Sequence, residues 1–224
     1  MSKPLDDGLR MANPPSQPGP AKNLEAEADH RIANSLALVA SLLKSQARDL
    51  GEKPMLAGSE AQAVLEESAA RIDAVSNLHR LLATPNPDGG GLAAHLSQIA
   101  QNASRFATQR DNTKLFFDFG RHLSLDSSRL TALGLLVGEV LINAFKHAHP
   151  AGAPGEIRLS CRQIDAFLMV VIEDDGVGFP DGFKPELHGG TGFRVMTALA
   201  QQLKAQVTHK STPLGLWTEI LFPL

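Results

Sequence analysis

The chain has 224 residues, 43% hydrophobic and 20% charged, a balance that excludes a wholly disordered polymer and allows one large domain or two small ones. Its net charge of −3 offers no basic excess for a phosphate backbone, which excludes nucleic acid as the main partner. The longest apolar runs, such as Phe167–Ile172, fall far short of the roughly 20 residues of a membrane span. No signal-peptide core opens the chain, and Cys161 stands alone, so the expectation is a cytoplasmic protein without membrane contact.

Residues 1–23 hold Pro4, Pro14, Pro15, Pro18 and Pro20 and almost no large apolar groups. They bury too little to offset ordering entropy and read as a flexible tail, too short for a folded sensory domain. From Leu24 to about Asp49 the pattern turns helical, with Ile32, Leu36, Val39, Leu43 and Leu50 at helical spacings. Gly51 and Pro54 end it. A second helix over about Ser59 to Leu82 carries the stripe Leu65, Ile72, Val75, His79 and Leu82. Residues 24–84 thus form an antiparallel hairpin. A lone hairpin leaves both stripes wet, and each Leu or Ile so exposed forgoes roughly 1.5–3 kcal/mol. The expected solution is a homodimeric four-helix bundle; docking onto the rest of the chain is the competing one.

Residues 85–91, Pro-Asn-Pro-Asp-Gly-Gly-Gly, read as a linker to a second domain over 92–224. There the spacing predicts a helix over about Leu92 to Ala107 and strands near Thr113–Asp118 and His122–Leu125. A long helix over Ser127–His147 follows, then strands near Glu156–Arg162 and Phe167–Glu173. A helix over Phe193–Leu203 and strands near Gln206–Lys210 and Leu216–Phe222 close the chain. The fold class is α+β, with helices on one face of a mixed sheet.

Three segments of this domain carry chemistry. On the long helix, Glu139, Asn143, Lys146 and His147 fall at i, i+4, i+7 and i+8 and share a face, while Val140, Leu141 and Ala144 point to the core. An amide oxygen can ligate Mg²⁺ and a lysine can meet phosphate; the same face also reads as the solvated side of an amphipathic helix. Next, an apolar strand ends in Asp174-Asp175-Gly176-Val177-Gly178. A carboxylate there can accept an exocyclic amine, and glycines admit close backbone approach; a tight polar turn is the plainer alternative. Third, Gly189-Gly190-Thr191-Gly192 opens a helix, where free N–H groups favour an anion, although no Walker A sequence follows.

Taken in order, these segments resemble the Bergerat-type ATP-binding fold of sensor histidine kinases, certain protein serine kinases, gyrase and related ATPases. The resemblance implies Asn143 as the Mg²⁺ ligand, with Glu139 as its acidic partner, direct or through water. It implies Asp174 as the adenine reader. Lys146, His147, Gly176, Gly178, Gly190, Thr191 and Gly192 would line the nucleotide, and Phe179–Gly189 would be a lid over ATP. Upstream, Asp29-His30-Arg31-Ile32-Ala33-Asn34-Ser35-Leu36 resembles the phosphoacceptor box of sensor histidine kinases, in the His-Arg-x-x-Asn form related to the HWE-type group. Arg71-Ile72-Asp73-Ala74-Val75 and Leu78-His79-Arg80-Leu81-Leu82 agree with that group. Two departures stand out: Phe193 follows Gly-Thr-Gly where leucine is usual and is expected to alter lid closure, and Trp217-Thr218-Glu219 spells the group's Trp-x-Glu in the wrong place, the final strand.

Geometry agrees for His30, which lies two residues before Ile32, roughly 200° around the helix. With Asn34, Ala37 and Ser41 it lines a small polar face opposite the apolar stripe. His79 sits on the stripe and reads as a buried seam residue. His147 either touches phosphate or favours the helix C-terminus, and His188 reads as a loop residue. The resemblance implies autophosphorylation of His30 from ATP–Mg²⁺, the neutral imidazole attacking with Glu27 or Asp29 assisting. The group would then pass to an aspartate of a response-regulator receiver domain. With no sensory segment before the hairpin, input is expected from a partner in trans. The alternatives are a histidine phosphotransferase with an inactive ATP domain, an anti-sigma-type serine kinase, and a dimeric scaffold that binds no nucleotide.

Overall fold

The computed structural model describes residues 91–104, 113–120, 125–150 and 153–224, with single positions between Ala37 and Ile72. The expected tail, most of both hairpin stripes, His30, His79 and the linker up to Gly90 lie outside the described residues. The described elements are α1 (Gly91–Ala103), β1 (Lys114–Phe119), α2 (Ser127–His147), β2 (Glu156–Ile164) and β3 (Phe167–Asp174). After them come the one-turn α3 (Pro185–His188), α4 (Thr191–Leu203), β4 (Gln206–Thr212) and β5 (Gly215–Pro223).

The strands form one sheet in the order β1-β2-β3-β5-β4. β1 and β2 are parallel, and the other neighbours are antiparallel. A parallel pair needs a long crossover, and α2 supplies it. Alternation then sorts the side chains. Buried Ile157, Leu159 and Cys161 of β2 lie in register with Asp174, Ile172 and Val170 of β3, and the last two pair with Thr218 and Ile220 of β5. On this face α2 packs between α1 and α4 through Leu96, Ile99, Leu133, Leu136, Val140, Val195 and Leu199. The mixed sheet with helices on one face is thus as the periodicity predicts. Burial also pushes the Cys161 thiol up to about 12, which keeps it protonated and inert.

α2 is held at both ends. Asp126 caps its start, Oδ1 accepting from the N–H groups of Ser128 and Arg129 at 3.0 Å each. Arg129 donates to the Pro223 carbonyl and lies over the Phe222 ring, tying α2 to β5. By length and composition Ser128–His147 could cross a membrane, a stretch that run length alone passes over. Most of it is buried inside the domain, so its apolar excess serves the core.

Several boundaries differ from the periodicity. α1 is described to Ala103, followed by Ser104, whose hydroxyl donates to the Gln101 carbonyl at 2.7 Å; the rest of the helix expected to Ala107 lies outside the described residues. α4 starts at Thr191 rather than Phe193, because the Gly190 carbonyl already accepts from Phe193 and Arg194. The strand expected at His122–Leu125 falls mostly outside the described residues, and Leu125 itself is not in a strand.

His95 on α1 is 5% exposed and faces α2, its Nε2 filling the space where a Gly134 side chain would begin. Neither ring nitrogen makes a hydrogen bond among the described residues. Burial pulls its pKa from 6.5 down to about 4, against a smaller opposing influence of the Leu130 backbone. The folded state therefore releases a proton that the unfolded chain holds between these values. Stability from this site is complete above pH 6.5 and is lost as pH falls towards 4, by on the order of 3 kcal/mol. Thermal unfolding at pH 7 and pH 5 should show a fall in melting temperature that His95→Leu reduces; an equal fall in both proteins contradicts this.

Candidate functional site

β3 delivers Asp174 to the helix-facing side of the sheet, two residues beyond buried Ile172. Its Oδ1 accepts the Gly176 N–H at 3.1 Å and the Leu216 N–H at 3.2 Å, while among the described residues no protein group takes Oδ2. The Leu216 bond requires the β4–β5 turn to lie against β3. Gly215 permits it, with φ of 136° and a position where any Cβ would collide with the Asp174 carbonyl. Burial raises the Asp174 carboxyl above its usual value, outweighing both N–H bonds and the nearby His149.

The α2 stripe runs from core to surface. Glu139 is buried, Asn143 and Lys146 are half-buried and His147 is exposed; Val140, Leu141 and Ala144 lie in the core as expected. The helix end meets the Asp174 turn directly. The Ala148 carbonyl accepts the Val177 N–H at 3.0 Å, and Gly176 lies so close that a Cβ would strike that carbonyl. Beside this contact, His149 Nε2 stands 2.9 Å from Asp175 Oδ1, which also accepts the Glu156 N–H at 2.7 Å. Desolvation raises the Asp175 carboxyl, but the Glu156 N–H and His149 outweigh it and hold the carboxyl below its usual value.

The segment Phe179–Gly189 folds over the same end of the sheet. The Phe179 N–H donates to Ser211 Oγ at 2.7 Å. Phe179, Phe183, Phe193 and His209 form one aromatic cluster with ring centroids 5.0–6.0 Å apart. Phe193, the departure in the third motif, therefore joins α4 to the lid. His209 Nδ1 lies 2.9 Å from the hydroxyl of buried Thr218, and burial lowers its pKa against an opposing pull from Glu186 in the lid. His188 Nδ1 accepts the Lys184 N–H at 2.9 Å, so this histidine shapes the lid turn. At α4, Gly190 supplies no side-chain cap, and a Cβ there would meet nothing within 4 Å. The N-terminal turn of the helix is thus open to an anion.

Two chains of contact bring the three motifs together: Gly176 to Ala148 at the end of α2, and Phe179 to Phe193 beside Gly192. Residues 95–218 match the family model described as histidine kinase-like ATPase domain. The chain belongs to that family. Residues 27–105 match a second model, described as histidine kinase. A sensor histidine kinase, PdtaS, from Mycobacterium tuberculosis is 30% identical over 77% of this chain and 33% of its own length. Blue-light-activated histidine kinase 2 of Erythrobacter litoralis is 29% identical over 89% and 56%. The chain thus spans between a third and just over half of these curated relatives. A blue-light activated histidine kinase structure from Erythrobacter litoralis superposes with a TM-score of 0.67 at 24% identity, over 93% of this chain and 61% of that one, and supports the fold.

The donor set suits the nucleotide of a histidine kinase-like ATPase. Oδ2 of Asp174 remains to accept an amine, and α4 offers uncapped N–H groups. Among the described residues no three His, Cys, Asp or Glu side chains gather to cage a metal.

Sequence reasoning passed over His149, Asp175, Ser211 and the His209–Thr218 pair. The doubled aspartate and the His-Ala-His run were visible, but nothing in their spacing joins residues 26 apart. Because Phe193 contributes two ring contacts to the lid, Phe193→Ala should loosen it. Each contact is worth about 0.5–1.5 kcal/mol, so amide exchange at Phe183, Leu187 and His188 should accelerate about tenfold. Unchanged exchange would show that the lid is held by something else.

Proposed function

We propose that this chain is an ATP-dependent protein-histidine kinase that phosphorylates His30 and passes the phosphoryl group to an aspartate of a response-regulator receiver domain. The observation that carries this reading is the convergence of Asp174, the Asn143-bearing end of α2 and the open N-terminus of α4, in a chain whose residues 27–105 match the histidine kinase family. In this reading Asp174 accepts the adenine amine on Oδ2. Gly176 and Gly178 let the backbone approach the base, and the N–H groups at Gly190, Thr191 and Gly192 receive phosphate. Lys146 and His147 add charge at the surface end of the stripe. Asn143 and Glu139 would hold Mg²⁺, which neutralises phosphate charge when bound.

The His30 ring nitrogen forms a bond to the γ-phosphorus, the bond to the β–γ bridging oxygen breaks, and ADP leaves. The ring proton goes to Glu27 or Asp29. A second copy of the chain is the expected partner for residues 24–84. Among the described stripe positions Leu43, Leu65 and Ile72 are exposed, Leu65 at 69%, so they carry apolar surface that a homodimer would cover. A cytoplasmic location and a sensory partner in trans belong to the same proposal. The histidine kinase match upstream favours it over an anti-sigma-type serine kinase, which needs no phosphoacceptor hairpin.

The test incubates the purified chain and its His30→Ala variant with γ-labelled ATP and Mg²⁺. Acid-labile label on the wild type alone is expected, on a protein that scatters light as a dimer. Label that survives acid, or that persists in His30→Ala, would sink the histidine assignment. ATP bound without any label would favour a phosphotransferase.

A further inference from the structure

His149 has no part in the proposed chemistry, yet it stands where three segments of the site meet. It lies just beyond the C-terminus of α2, and its side chain is 11% exposed. Nε2 reaches Asp175 Oδ1 at 2.9 Å, and that oxygen also holds the first N–H of β2, from Glu156. The imidazole occupies the room a side chain at Gly155 would need. The Gly155 carbonyl in turn accepts the Lys114 N–H at 2.8 Å, where β1 begins. One ring therefore touches the end of α2, the approach to β2 and the turn after β3.

The neighbouring bonds show what this junction controls. Asp175 follows Asp174 directly, and the next two residues, Gly176 and Val177, are pressed against Ala148. Fixing Asp175 fixes the direction in which the turn leaves the sheet. The turn then sets the separation between Asp174 and the α2 stripe. The Asp175 side chain is 54% exposed, and an ion pair this open contributes little to global stability. Its geometry, however, spans the two elements that would bind opposite ends of one ligand.

We infer that the His149–Asp175 pair is a positioning clamp for the nucleotide, holding the Asp174 turn against the end of the Asn143 helix so that the adenine-side and phosphate-side groups stand at a fixed separation. This rests on the ATP-site reading above and assigns to it two residues that would not touch the nucleotide. A loose clamp leaves the groups present but misplaced, and a small misplacement weakens binding by about tenfold or more. The loss appears in the ground state as well as the transition state, so KM rises while kcat holds.

The test titrates the full chain with ATP and Mg²⁺ by calorimetry, with melting temperatures measured alongside. His149→Phe keeps a flat ring beside Gly155 and removes the donor; His149→Gln returns an N–H. The expected result is about tenfold weaker binding in His149→Phe with nearly the wild-type melting temperature, and recovery of most of the loss in His149→Gln. Adding His149→Phe to Asp175→Ala should weaken binding no further than Asp175→Ala alone, because the His149 bond is already absent there. Affinity within twofold of wild type in His149→Phe would overturn the clamp. So would a loss that tracks melting temperature and is not rescued by His149→Gln, since that marks a purely structural residue. A wild-type chain that binds no ATP would overturn the site reading and this proposal with it.

Discussion

A carboxylate placed on the inner face of a sheet must find donors or lose solvation it cannot recover. Asp174 meets that demand with one oxygen, Oδ1, which takes the Gly176 and Leu216 N–H groups. Much of the site follows from this pair of bonds. The first curls the chain at once into the glycine turn. The second pulls the β4–β5 hairpin end onto β3, which forces glycine at 215. With the hairpin there, Ser211 meets the Phe179 N–H, and Phe179 is delivered to Phe193 and His209. The lid is thus anchored to the sheet through a carboxylate that also leaves a second oxygen for a ligand.

α2 works under a second constraint, since one helix must serve both core and site. Its buried residues, from Ala132 to Phe145, wedge between α1 and α4 against the sheet. The stripe Glu139, Asn143, Lys146 and His147 leaves this core gradually, buried at one end and exposed at the other. Such a gradient suits a ligand with a partly desolvated metal and more solvated phosphates. The helix cannot drift relative to the turn, because Ala148, Gly176 and Val177 close against each other.

Much of this was legible in the sequence for local reasons. The α2 stripe and its core partners follow from a 3.6-residue period, and the strand alternation fixed which face of β3 carries Asp174. The two glycines of the Asp174 turn, Gly176 and Gly178, mark places where side chains would collide, whereas Gly190 does not. What remained hidden depends on long-range register. Leu216 meets Asp174 across 42 residues, and His149 meets Asp175 across 26. The start of α4 was missed by two residues, because the Gly190 carbonyl opens the helix by accepting from Phe193 and Arg194, bonds that periodicity does not register. Phe193 stood out as a departure expected to alter lid closure, and the fold adds its ring partners in that segment, Phe179 and Phe183.

Asp174 holds the turn and the hairpin end together, and in the proposed function the same carboxylate accepts the adenine amine. Asp174→Asn separates these roles, because the amide oxygen can still accept the Gly176 and Leu216 N–H groups while the charge and one acceptor are lost. Calorimetric titration of the full chain with ATP and Mg²⁺ is the most direct measurement. Asp174→Asn should melt close to the wild type yet bind ATP at least tenfold more weakly, since a hydrogen bond to a charged group contributes about 1.5–3 kcal/mol. Equal ATP affinity in the two proteins would contradict it.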